Sequence, residues 1–166
     1  MPSIDPPDDE LLDRGRAIVR AEGDAIVRAA ELLDASFGRA VRLVAGCPGK
    51  VVVTGIGKAG LVAQKISATL ASTGTPSHFL HPAEAMHGDL GVLRRDDLVL
   101  ALSQSGETEE ITRLLPHLAV AGVPIVALTG RAESTLGRAA RIVVATGTAR
   151  EACTLGLAPS TSTAVM

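Results

Sequence analysis

Four stretches of the chain carry residue types that chemistry needs. The first is Asp97 to Leu115, DLVLALSQSGETEEITRLL, where the apolar run Leu98 to Leu102 reads as a buried strand, Ser103 to Gly106 as a tight turn and Glu107 to Leu115 as a helix. A strand, loop and helix in that order bring the Ser103 and Ser105 hydroxyls, the main-chain N–H groups around Gly106 and the positive end of a helix dipole to one point. Such a point attracts a phosphate. Ser105 or Thr108 would equally serve as a helix cap, which is the commoner use of these residues.

The second stretch is GIGKAG, in which Gly55, Gly57 and Gly60 fit the G-x-G-x-x-G spacing of a dinucleotide-binding turn. That reading wants an acidic residue at the end of the next strand, and SHFLHP carries none there. Lys58, inside the loop, instead suits a small anionic ligand or negative charge developing on a substrate oxygen. The third stretch, HPAEAMHGDLG, gathers His81, Glu84, His87 and Asp89. Its spacing is not that of a standard metal site, so capping of a short helix and binding of sugar hydroxyls are favoured over a metal. The fourth is the tail GTAREACTLGLAPSTSTAVM, where Glu151 lies before a hydroxyl cluster, Ser160 to Thr163, that looks like a helix N-terminus.

The elements that must position these residues follow from the apolar pattern. Asp8 or Asp9 starts a long helix in which apolar doublets recur every seven residues, at Leu11/Leu12, Ile18/Val19, Ala25/Ile26 and Leu32/Leu33. That stripe must pack either on its own domain or on a second subunit, and its strict step and length favour the subunit. A helix over Phe37 to Ala45 precedes the first strand, Lys50 to Gly55. A helix over Leu61 to Thr73 and a short strand, Ser77 to Leu80, come next. Beyond the central strand, further strands at Pro124 to Gly130 and Arg141 to Thr146 flank a short helix from Ser134 to Ala140. Apolar strands alternating with helices argue an α/β fold, a parallel sheet covered on both faces. Ligands of such sheets gather at the carboxyl ends of the strands, where GIGKAG and SQSGET both fall.

The bulk properties exclude several classes. The chain has 166 residues, enough for one domain, and a net charge of -2 that offers no basic footprint for nucleic acid. Without Trp or Tyr and with two Phe, there is little to stack on bases. Cys47 and Cys153 lack metal-ligand spacing and suit reduced, structural thiols of the cytosol. No signal-peptide layout and no run of about eighteen apolar residues is present. These features predict a soluble, cytoplasmic protein with no membrane or nucleic-acid partner.

Taken together, GIGKAG, STGTP, HPAEAMHGDLG, SQSGETEE, LTGR and EACTLGLAPSTST resemble the sugar isomerase (SIS) domain, and more narrowly the arabinose-5-phosphate isomerase family. The resemblance runs from about Gly23 to the end. It implies a flavodoxin-like, three-layer αβα sandwich with a five-stranded parallel sheet. It also implies an activity that interconverts D-arabinose 5-phosphate and D-ribulose 5-phosphate through an enediol or enediolate, and homodimers or homotetramers with active sites at subunit boundaries. A non-catalytic sugar-phosphate-binding module and a hexulose-phosphate isomerase share the fold and stand as alternatives.

By the same resemblance the phosphate lies on Ser103, Ser105 and Thr108, with Thr161 and Ser162 nearby and Gly57, Ala59, Gln104 and Gly106 completing the subsite. Lys58, Glu110, Glu151 and His87 are the implied catalytic set. Glu151 is assigned as the base, Lys58 as the group that stabilises the enediolate oxygens, His87 to the sugar, and Glu110 to orienting Lys58 or a hydroxyl. The mechanism requires no cofactor and no metal, although His81 and His87 could bind an inhibitory ion. Ala59 departs from the family, which usually has a serine there. Relatives continue into a further helix, an HPGG segment whose histidine is implicated in catalysis, and paired CBS modules, so the resemblance implies an impaired activity for this shorter chain. The Pro- and Asp-rich residues 1–9 are expected to be a flexible start, and the resemblance makes 10–166 an SIS domain that is C-terminally truncated.

Overall fold

The computed structural model describes residues 7–148, 150–153 and 159–166. Two helices lead the chain, α1 (Asp8–Glu31) and α2 (Ala35–Ala45), the latter capped by Asp34, whose carboxylate accepts the Ser36 N–H at 2.7 Å. The expected frayed start falls mostly on residues outside the described set, and α1 is formed from Asp8. Alternation then sets in: β1 (Val51–Thr54), α3 (Gly57–Ser72), β2 (Ser77–Phe79), α4 (Pro82–Met86), a 3-10 turn (Asp89–Val92), β3 (Leu98–Leu102), α5 (Glu109–Ala121), β4 (Ile125–Thr129), α6 (Thr135–Ala139), β5 (Ile142–Ala145) and a last turn, α7 (Thr161–Ala164).

The five strands form one parallel sheet in the order β2-β1-β3-β4-β5. Because side chains alternate along a strand, each strand feeds two cores. Val52, Val99, Ala101, Ile125 and Ala127 pack on α4, α5 and α6 through Ala85, Ile111, Leu114, Leu118 and Leu136. Val51, Val53, Leu98, Leu100, Leu102 and Val126 face α2 and α3 through Ala40 and Ala63. The sandwich of helices, sheet and helices expected from the sequence is the one observed.

Several boundaries differ from the expectation, and two helix starts among them bear on the site. Helix α3 begins at Gly57 rather than Leu61, so Lys58 stands in a first helical turn and not in a loop. The early start is possible because α3 packs hard on the end of β1, where a Cβ at Gly60 would lie 2.8 Å from the Gly55 carbonyl oxygen. Helix α5 begins at Glu109, two residues later than expected, because the SQSG turn extends to Thr108. It also runs past Pro116 to Ala121, since the proline is exposed while Leu114, Leu115 and Leu118 stay in the core.

The apolar stripe of α1 stays largely uncovered. Ala25 is buried, whereas Leu11, Leu12, Val19 and Ile26 are 50%, 51%, 70% and 50% exposed. No helix among the described residues is long and apolar enough to cross a membrane.

Candidate active site

The strand order places a switch point between β1 and β3, where neighbouring strands send their connections to opposite faces of the sheet. Crevices open at such points beyond the carboxyl ends of the strands. A cavity of about 630 Å³ occupies this one, bounded by Ile56–Ala59 after β1 and Leu102–Ser105 after β3, with Thr108, Arg131, Thr148, Glu151 and Ser162 closing it.

The serine loop is built for hydroxyl display. Gly106 takes φ +66°, and a Cβ there would lie 1.9 Å from Ser134 Oγ, so only glycine lets the turn close on α6. Ser103 Oγ accepts the Gly106 N–H at 3.0 Å and pairs with Thr108 Oγ1 at 2.8 Å. Ser105 Oγ accepts the Glu107 N–H at 3.1 Å. Thr108 holds the N-cap position of α5, yet no side chain caps that helix. Both hydroxyls considered as caps are thus engaged within the loop, which leaves the first N–H groups of α5 to another acceptor.

Lys58 opposes this loop from the first turn of α3, which contains no acidic residue. A cation at a helix N-terminus is unfavourable by about 0.3–1 kcal/mol, so its position there is one that an anion in the cavity would relieve.

Glu151 completes the rim. Its Oε2 accepts the Ser160 N–H at 2.8 Å, the Ser160 hydroxyl at 3.3 Å and the Ser162 N–H at 3.3 Å. Burial pushes the carboxyl up, but the Ser162 side chain and the main-chain N–H groups of Ser160, Ser162 and Thr161 outweigh it and hold Glu151 below the usual glutamate value. Behind it, Thr161 Oγ1 accepts the Ala152 N–H at 3.0 Å and keeps the two segments together.

The structure therefore brings Gly57, Lys58, Ala59, Ser103, Gln104, Ser105, Thr108, Glu151 and Ser162 to one cavity. Gly106 and Thr161 support it from behind. Glu110 and His87 do not line it. Glu110 stands in the first turn of α5, partly buried and outside the lining of the cavity. His87 ends α4 as its exposed C-cap. His81 caps α4, its Nδ1 accepting the Ala83 N–H at 3.3 Å, and lines an adjoining cavity of about 590 Å³ that shares Gly57, Lys58 and Pro159 with the first. Among the described residues no group of three or more His, Cys, Asp and Glu could hold a metal ion. Arg131 and Thr148 were not anticipated as site residues. Their signal was available, since each follows a strand end on the edge already marked by GIGKAG and SQSGET. Residues 154–158, which carry most of the LGLAP motif, lie outside the described set.

This crevice, with its hydroxyl loop and its glycine-lysine turn, accompanies a match of residues 46–166 to the SIS domain family. The chain belongs to the SIS domain family. Among relatives of this SIS domain, arabinose 5-phosphate isomerase GutQ of Salmonella typhi is 46% identical over 155 residues, 93% of this chain and 48% of GutQ. Arabinose 5-phosphate isomerase KdsD of Escherichia coli K12 is 46% identical over 149 residues, 90% of this chain and 45% of KdsD. The chain thus spans about half the length of the curated relatives it matches. Among solved structures, the E. coli CFT073 protein c3406 in complex with arabinose 5-phosphate superposes with a TM-score of 0.93 at 38% identity, covering 96% of this chain and 85% of that one. A Bacteroides fragilis protein provisionally described as a phosphosugar isomerase involved in capsule formation gives 0.87 at 38% identity, covering 93% and 83%.

Proposed function

We propose that this SIS domain interconverts D-arabinose 5-phosphate and D-ribulose 5-phosphate through an enediolate. The observation that carries the reading is Glu151: a carboxylate held ionised by its hydrogen bonds, on the same cavity as Lys58 and the serine loop. The names of the relatives and the arabinose 5-phosphate complex of the solved neighbour support the pentose substrate.

In this reading the phosphate sits on Ser103, Ser105, Thr108 and the uncapped end of α5. That anchor directs the sugar chain towards Lys58 and Glu151. Glu151 removes the proton on C2 of the open-chain aldose, and the electron pair passes into the enediolate. Lys58 stabilises the charge on oxygen. Transfer of the O2 hydroxyl proton to O1 and return of the abstracted proton from Glu151 to C1 give the ketose. Glu110 and His87 enter only from a neighbouring subunit, consistent with a cytoplasmic homodimer or homotetramer whose contact is the exposed stripe of α1.

The test is to incubate the chain with D-arabinose 5-phosphate and follow D-ribulose 5-phosphate, recording thermal shifts on the same samples. Turnover is expected. Stabilisation by the sugar phosphate without turnover would overturn the isomerase reading in favour of a binding module.

A further inference from the structure

Gln104 lies between the two loop serines and lines the cavity, but its side chain is engaged elsewhere. Its Nε2 donates to the Gly147 carbonyl at 2.7 Å and its Oε1 accepts the Thr146 hydroxyl at 3.2 Å. Its main-chain carbonyl accepts the Gly130 N–H at 3.0 Å and the Thr129 hydroxyl at 3.4 Å. One residue of the serine loop therefore grips the ends of both β4 and β5.

The junction is tight. A Cβ at Gly130 would lie 2.5 Å from Gln104 Nε2 and 2.6 Å from the Gly147 oxygen, so only glycine lets the end of β4 approach the amide and its carbonyl partner this closely. Thr148, which directly follows Gly147 at φ +74°, lines the cavity, as does Glu151.

We infer that Gln104 is a positioning residue that sets the distance between the phosphate loop and the Glu151 carboxylate, acting through Thr146 and Gly147. The inference rests on the isomerase reading for its kinetic consequence, and on geometry alone for its structural one. A phosphate anchored on Ser103 and Ser105 and a base carried beyond β5 belong to segments more than forty residues apart in sequence. The amide links the serine loop to Thr146 and Gly147 by two hydrogen bonds.

Gln104→Ala, Thr146→Val and Thr146→Ser test this by two readouts. Amide exchange at Ala152 and Ser160, whose N–H groups bind Thr161 and Glu151, is expected to quicken about tenfold in Gln104→Ala while the β3 amides keep their protection. In the assay, kcat is expected to fall up to about 100-fold with KM changed less than about threefold, the signature of a displaced base. Thr146→Val moves both readouts the same way by less, and Thr146→Ser recovers most of the loss. Unchanged exchange at Ala152 and Ser160, or acceleration uniform across the sheet, overturns the inference. So does a raised KM with kcat intact, which would place the amide on the phosphate itself. If Gln104→Ala does not fold, the Thr146 pair decides by the same criteria. If the parent chain shows no turnover, the isomerase reading fails and the exchange data decide the inference alone.

Discussion

The carboxylate of Glu151 accepts the main-chain N–H of Ser160 at 2.8 Å, nine residues ahead of it in the chain. This bond and its neighbours at Ser162 keep the carboxylate charged on the rim of the cavity. Glu151→Gln is expected to lower isomerisation by about 10³-fold or more while thermal protection by inorganic phosphate persists, since the phosphate subsite is separate from the base. The pH dependence follows from the direction of the shift. A base whose folded pKa is depressed stays ionised as pH falls from neutrality, so the acid limb of kcat, to which the free sugar phosphate's own ionisation near about pH 6 does not contribute, should lie below the ordinary glutamate value of about 4.3. A limb near pH 6 or above would assign the base elsewhere.

Gly106 is the residue on which the serine loop closes. Gly106→Ala meets both the positive φ and the Ser134 hydroxyl, and is expected to cost about 1–3 kcal/mol of stability and to weaken phosphate binding together with it. Urea unfolding and a phosphate titration of the melting temperature measure the two effects.

At the amino end of the sheet, Asp97 anchors the entry to β1. Its side chain is 2% exposed and binds Lys50 Nζ at 2.6 Å, the Lys50 N–H at 2.9 Å and the Arg94 N–H at 2.8 Å. Burial raises the pKa, and the Lys50 and Arg94 bonds overcome it, so the net value is lowered. Asp97→Ala is expected to destabilise the domain by about 3 kcal/mol at neutral pH. A depressed folded pKa means that this stability is present above the unfolded aspartate value of about 3.9 and is lost as pH falls through the folded value. The difference between parent and variant should therefore narrow in acid unfolding series, and a difference constant down to about pH 3 would contradict the assignment.

Helix α1 presents Leu12, Val19 and Ile26 at about half exposure or more. Val19→Glu with Ile26→Lys changes side chains that are 70% and 50% exposed within one chain, and complete burial of such a side chain from water contributes at most about 1.5–3 kcal/mol. The double variant is expected to sediment as a smaller species than the parent at equal concentration, with little change in secondary structure. Equal sedimentation would remove α1 from the interface.

The sequence determined the local order of this protein. Apolar runs marked β1, β3, β4 and β5, a seven-residue step marked α1, and glycine with hydroxyl residues marked the turns that face the ligand, because burial and backbone preference act over a few residues. It also placed Lys58 and the serine loop on one edge, since parallel strands put every βα turn at the same end. Only the tertiary structure decided the strand order, and with it the switch point between β1 and β3. It drew Glu151 onto the cavity of Ser103, left Glu110 and His87 outside its lining, and set the Gln104 amide against Thr146 and Gly147. Each of these depends on contacts between distant segments whose partners are selected by packing, and no spacing within a single segment encodes them.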